Sequence, residues 1–211
     1  MISSWRDYLV TLLFELFFLT LSIFVVINLT PLYWLDIHFM QLTHATGLPA
    51  NFIISDYLRV VNYIQNPFDS GLHFNHFKAS SEGMQHFQDV KKLILLNNGV
   101  MIITGLISVR KMISLVRFNQ IWRIMVPIRV ILVLMAAVIT LVLVNFDRAF
   151  IFFHEVVFRN KDWVFNPEHD PIINALPLPF FIQSFMIVAI LILILNGIGY
   201  FLGKLSLNNS K

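Results

Sequence analysis

Four apolar runs, residues 8–29, 93–109, 125–146 and 180–202, set the frame of this 211-residue chain. Each has about the length, roughly 20 residues, that a helix needs to cross the hydrocarbon core of a bilayer. The chain therefore reads as an all-α membrane protein with four transmembrane helices, and its 57% hydrophobic and 13% charged residues agree with that class. Between the runs lie two longer stretches, about 30–92 and 147–179. They are expected to stand outside the bilayer as two long loops that pack into an extracytoplasmic cap. A chain of this length has no room for a separate large soluble domain, so residues 1–211 are read as a single integral membrane domain.

Charge orients that frame. Arg110, Lys111, Arg117 and Arg123 fall between the second and third runs with no acidic residue among them, and a short basic connection of this kind marks the cytoplasmic side. Both termini then lie in the cytoplasm. All seven histidines, and every acidic residue except Asp7 and Glu15, fall in the two stretches on the opposite side. The first run lacks a small-residue cleavage site before Pro31, so it is read as a retained span. Pro31 is expected to stop that span, with Tyr33 and Trp34 at headgroup level. Glu15 either faces protein or water or reaches to the interface, and Arg129 snorkels from the end of the third span.

The outer stretches carry their own local signals. Ile53, Ile54, Tyr57, Leu58, Val61 and Ile64 fit one face of an amphipathic helix, which Asn66-Pro67 ends and which lies on the bilayer or packs on a partner. Leu72-His73-Phe74-Asn75 reads as a short strand or an irregular turn. Ser80 or Ser81 is placed to cap a helix that runs without a breaker into the second span, with Glu82 in its first turn.

His86 and His154 are the candidate functional pair. His86 stands just before the second span and His154 just after the third, so each is held at a matched depth by a rigid element. Asp89, three residues beyond His86, shares its helix face. It either holds His86 in one tautomer, as a carboxylate does for a catalytic base, or pairs with Lys91 or Lys92 as a surface charge. Glu155 diverges from His154 by about 100° on a helix. Trp163 reads first as an interface anchor, Asp170-Pro171 as a turn, and Asn97-Asn98 as a source of interhelical hydrogen bonds.

Several chemistries lack their signals. Cysteine is absent, which excludes disulfides, zinc–thiolate sites and a cysteine nucleophile. Neither a Gly-x-Ser-x-Gly elbow nor a Gly-rich phosphate loop occurs. The net charge of +3 gives little support to a nucleic-acid partner. A metal-dependent membrane hydrolase is a rival reading, with His86, His154, Asp89 and His169 as a passable ligand set, although no His-Glu-x-x-His spacing is present. A non-enzymatic four-helix scaffold, whose histidines only pack or hydrogen-bond, is the other.

The run His86-Phe87-Gln88-Asp89-Val90 resembles the histidine/Asp-Val signature of the lipoprotein intramolecular transacylases. The run Phe153-His154-Glu155 through Phe158 and Trp163 to Asp170, Pro177 and Phe180 is similar to that family's second signature. Phe87 stands where methionine is the commoner residue, an apolar exchange. The resemblance implies four spans with two outer loops in a bacterial plasma membrane, no cofactor and no metal. It also implies a diacylated lipoprotein substrate reached from the membrane lipid. The implied activity moves the sn-2 acyl chain of the diacylglyceryl-modified N-terminal cysteine to that residue's own α-amino group, giving a lyso-form lipoprotein. In that chemistry His86 acts as general acid/base and His154 as its partner in oxyanion stabilisation or proton return, and the two roles are exchangeable.

Overall fold

The computed structural model describes residues 4–208. Eight α-helices, and no strand among the described residues, follow one another along the chain: α1 (Trp5–Ile27), α2 (Thr30–Phe39), α3 (Leu42–Thr46), α4 (Ala50–Gln65), α5 (Ser81–Arg117), α6 (Met125–Val144), α7 (Phe146–Phe158) and α8 (Leu178–Asn208). Among the described residues four segments are long and apolar enough to cross a membrane: α1, α5, α8, and α6 extended at its start by the 3-10 turn Ile121–Ile124. These are the four expected spans, with shifted ends. The chain divides into two compact units. One comprises the chain through Phe24, Asn98–Asn145 and the chain from Phe185; the other comprises Val25–Asn97 and Phe146–Ser184.

The first unit is the span bundle. Phe14, Ile121, Ile124 and Ile128 form its small buried core. Outside that core its helices are apolar nearly all round, with Leu141 74% and Val144 80% exposed, as a surface that meets lipid requires. Several of its polar groups pair with one another. Glu15 faces protein, its Oε2 accepting a hydrogen bond at 3.0 Å from Nδ2 of the fully buried Asn196 on α8. Arg123 Nε lies 3.0 Å from Asp7 Oδ1. Arg129 is exposed and donates to the Tyr200 hydroxyl, its guanidinium 5.0 Å from that ring. Gly105 and Gly203 admit Phe17 and Met125 so closely that an added Cβ would lie 2.8 and 2.6 Å from their side chains.

The basic connection is shorter than the sequence suggests. Arg110, Lys111 and Arg117 are still on α5, because nothing in 110–117 breaks a helix, and the turn is confined to the residues around Asn119, whose φ of 51° is left-handed. Pro31 also differs from expectation. The first span ends at Ile27, and Pro31 occupies the first turn of α2, where its missing N–H costs nothing and its fixed φ suits helix initiation.

The second unit shows that the two outer stretches are largely helical rather than long loops. Its core gathers Tyr33, Ile37, Leu42, Ile53, Tyr57, Ile172 and Ala175, all less than a tenth exposed. The rings of Tyr33 and Tyr57 stack at 3.6 Å, and the Tyr33 hydroxyl donates to the Ala175 carbonyl at 2.7 Å. Burial pushes both phenols up from their ordinary pKa, so each stays a neutral donor. In α4 the buried apolar residues are Ile53, Tyr57, Val60, Val61, Tyr63 and Ile64, which pack into this core, whereas Leu58 is 44% exposed. Residues 72–75 take the irregular alternative and form no strand. The reason is Asp56, fully buried on α4, whose carboxylate accepts the backbone N–H groups of Asn75, His76 and Phe77 at 2.8–3.1 Å. That claims donors a ladder would need.

Candidate active site

His86 stands in the polar opening turns of α5, ahead of the apolar run that starts at Leu93, and His154 near the end of α7. Both belong to the second unit. Their ring centroids are 5.8 Å apart and tilted by 37°, so the two imidazoles share one site. Aromatic rings enclose them. Phe158 lies 4.9 Å from His86 and 5.4 Å from His154, Phe165 5.5 Å from His86, and Phe150 and Trp163 4.1 and 5.0 Å from His154.

That enclosure disfavours charge. Burial pushes the His86 imidazole down to about 4, assisted by neighbouring His154 and opposed by Asp89. Burial also lowers His154, against a hydrogen bond to the Phe150 carbonyl. Both rings are therefore neutral at physiological pH. The Phe150 contact, 2.7 Å from His154 Nδ1, assigns a tautomer as well. A carbonyl can only accept, so Nδ1 carries the proton and Nε2 presents a lone pair. On His86 the Nδ1 atom is buried and has no hydrogen-bond partner among the described residues.

Asp89 stands close by but does something other than fix a tautomer. No hydrogen bond joins it to His86 among the described residues. Its Oδ1 instead takes Lys92 Nζ at 2.8 Å and Gln85 Nε2 at 3.3 Å, and its Oδ2 takes Asn160 Nδ2 at 3.1 Å. Burial opposes the Asp89 charge, yet these donors outweigh it and hold the carboxyl below its ordinary pKa.

Beyond α7 the chain turns at Arg159, whose φ of 55° is the left-handed conformation common at helix ends. Trp163 is more than an interface anchor. Its Nε1 donates to the Asn160 carbonyl at 2.9 Å, which seats the indole against His154. A cavity of about 500 Å³, lined by Glu155, Arg159, Asn160, Lys161, Trp163 and Val164, opens beside it. Glu155 is exposed and diverges from its neighbour His154 as expected. Asp170 is 4% exposed, and it reaches far beyond its own turn. It accepts from the backbone N–H of Ser80 at 2.7 Å and from the Ser80 hydroxyl at 2.8 Å.

The rival ligand set does not assemble. His169 is exposed, and no group of three or more His, Cys, Asp or Glu side chains suited to a metal ion occurs among the described residues. His76 stacks on Phe52 at 3.9 Å and His38 lies edge-on to Trp34 at 5.4 Å, so both are engaged elsewhere. Asn160 and Phe165 went unmarked in the sequence. A residue following a helix end is the only local hint for Asn160, and Phe165 has none.

Fold and site together define a multi-pass, all-α integral membrane protein with a neutral imidazole pair in an aromatic enclosure. More particularly, the chain belongs to the family described as lipoprotein intramolecular transacylase Lit, whose family model matches residues 8–181. It is similar to the solved membrane-integral lipoprotein intramolecular transacylase Lit from Bacillus cereus, with a TM-score of 0.87, 26% identity and 97% of each chain covered. Two mutant forms of that protein are also similar. The histidine-to-arginine form has a TM-score of 0.80 at 26% identity, covering 97% of this chain and 93% of the other. The histidine-to-alanine form has 0.79 at 27%, covering 97% and 95%. No curated protein matches the chain.

Proposed function

We propose that this chain moves the sn-2 acyl group of a diacylglyceryl-modified N-terminal cysteine onto that cysteine's own α-amino group, with His86 and His154 as the proton-handling pair. The carrying observation is the approach of two neutral imidazoles to 5.8 Å inside one aromatic enclosure. Membership of a family described as lipoprotein transacylases supports the substrate class.

The chemistry follows from the groups present. An α-amine has a pKa of about 8, so an appreciable neutral fraction exists near pH 7. Its nitrogen attacks the ester carbonyl, forming a C–N bond and an oxyanion. The ammonium so formed gives its proton to an imidazole. Collapse breaks the C–O bond to glycerol, and the same proton goes to the departing glycerol oxygen. The products are an amide and a free hydroxyl, and no acyl-enzyme forms.

Hydrogen bonding supports an order within the pair. The lone pair on His154 Nε2 suits proton acceptance, and the bond to Phe150 stabilises the imidazolium that results. His86, the more strongly lowered of the two, serves as the neutral N–H donor to the oxyanion. This is the exchanged form of the roles expected from sequence.

The test is mass spectrometry of a lipoprotein N-terminus from cells expressing His86→Ala or His154→Ala. Near-normal lyso-form product from either variant removes that histidine from the mechanism. Orientation is part of the same reading: both termini and the Arg117 end of α5 are cytoplasmic, and the site is extracytoplasmic. Because the native chain has no cysteine, Lys161→Cys should react with an impermeant maleimide in intact cells and Arg117→Cys should not. The reverse pattern inverts the topology.

A further inference from the structure

Two carboxylates fasten one segment along the start of α5, and His86 lies between them. Asn160 Nδ2 donates a 3.1 Å hydrogen bond to Asp89 Oδ2, and ten residues later Asp170 grips Ser80 twice, at 2.7 and 2.8 Å. The positions run 80, just before α5, then 86 and 89 on it, so the fastenings flank the histidine by about two turns on one side and one turn on the other. Between its two anchors the 160–170 segment supplies Trp163, 5.0 Å from His154, and Phe165, 5.5 Å from His86. The segment also follows α7, and therefore His154, after a single left-handed residue.

Gly83 shows how close the second fastening is. A Cβ there would lie 2.3 Å from Asp170 Oδ1, a distance no Cβ occupies, while Ser80 Oγ receives the Gly83 N–H at 2.9 Å and so caps α5 as well. Ser80 thereby joins the helix start and the segment's end in one hydroxyl.

We infer that Asn160 and Asp170 are positioning residues for the imidazole pair: held by Asp89 and Ser80, they clamp the 160–170 segment onto α5 so that His86 and His154 keep their working separation. The clamp gives Asp89 a task other than setting a tautomer, and Asp170 a task beyond its turn. A displacement of about 1 Å between reacting groups is enough to cost up to about a hundredfold in rate.

The inference rests on the transacylase reading, so the experiment has one arm that needs no turnover. Trypsin cuts after Arg159 and Lys161, at the segment's entrance. Asn160→Ala and Asp170→Ala, in the full-length detergent-solubilised protein, should raise native-state cleavage there about fivefold or more by freeing the segment. In the second arm, lyso-form production per folded enzyme should show kcat down about tenfold to a hundredfold with KM little changed. Gly83→Ala should reproduce the Asp170→Ala loss without replacing a hydrogen-bonding side chain, and the Gly83→Ala/Asp170→Ala double variant should lose no more than Asp170→Ala alone.

Unchanged cleavage in both variants overturns the clamp. Raised cleavage with unchanged kcat overturns the positioning role and leaves a purely structural strap, as do additive losses in the double variant. If wild-type protein makes no lyso-form product, the transacylase reading fails while the cleavage result still decides the clamp.

Discussion

Glu15 in the span bundle and the aspartates Asp56 and Asp170 in the second unit meet their hydrogen-bond partners in opposite ways. In the span bundle Glu15 and Asn196 share one hydrogen bond between their side chains, and among the described residues Glu15 Oε1 and Asn196 Oδ1 are left buried without a partner, as are the hydroxyls of Ser22 and Ser108. In the second unit Asp56 and Asp170 are buried and accept three and two hydrogen bonds, four of the five from backbone N–H. The carboxylate of Glu15 links two helices that are already complete. Those of the second unit shape chain that has no helix or ladder to satisfy it. Removing the first leaves the helices intact, whereas removing the others releases loop backbone.

The largest effect expected within this contrast is chemical. His154→Ala or His86→Ala should lower transacylation by about 100- to 10,000-fold while thermal unfolding of the purified protein changes little. A large loss of stability instead makes the histidines part of the core and not of a site. Next comes Asp56→Ala, which strands three N–H groups and should destabilise the second unit by about 3 kcal/mol or more, read as early protease access around residues 70–78. An effect below that of Glu15→Gln breaks the contrast outright.

Acid sharpens it. Imidazoles in the unfolded chain protonate near their ordinary pKa of about 6.5, whereas folded His86 stays neutral down to about 4. Between these values the unfolded state binds more protons, so stability falls as pH drops from about 6.5 toward 4. His86→Gln should flatten that slope in thermal scans at pH 7 and 5, and an equal slope in the variant shows that His86 is not protected. Over the same window activity should fall chiefly because the substrate amine is protonated, before the enzyme's imidazoles are. Smallest is Glu15→Gln, which keeps an acceptor for Asn196 and should shift stability by about 1 kcal/mol or less.

Legibility in the sequence divides along the same line. Lipid imposes one rule on every residue of a span, so hydropathy alone located four helices. It said nothing about which side of each helix meets protein, because in a helix that is apolar all round the contact face has no pattern. In α4 water does impose a pattern, and its stripe was readable apart from Leu58, Val60 and Tyr63. The imidazole pair was legible because both histidines sit next to span ends, which fixes their depth. The clamp was not: Asn160 meets Asp89 across 71 positions and Asp170 meets Ser80 across 90, and such contacts leave no local trace. Pro31 misled for another reason. Proline stops one helix and starts the next with the same ring, and only the position of the preceding helix end tells which.

The bond between Glu15 and Asn196 joins residues 181 positions apart, one near each end of the chain. A ribosome adding about 5–20 residues per second needs on the order of 10 to 40 seconds to make the amide after the carboxyl. Throughout that interval the first span holds an acidic group whose eventual partner does not yet exist. Insertion machinery, water or the lipid surface must shelter it meanwhile. The bundle closes only when its last helix arrives, so its assembly has an order fixed by the direction of translation.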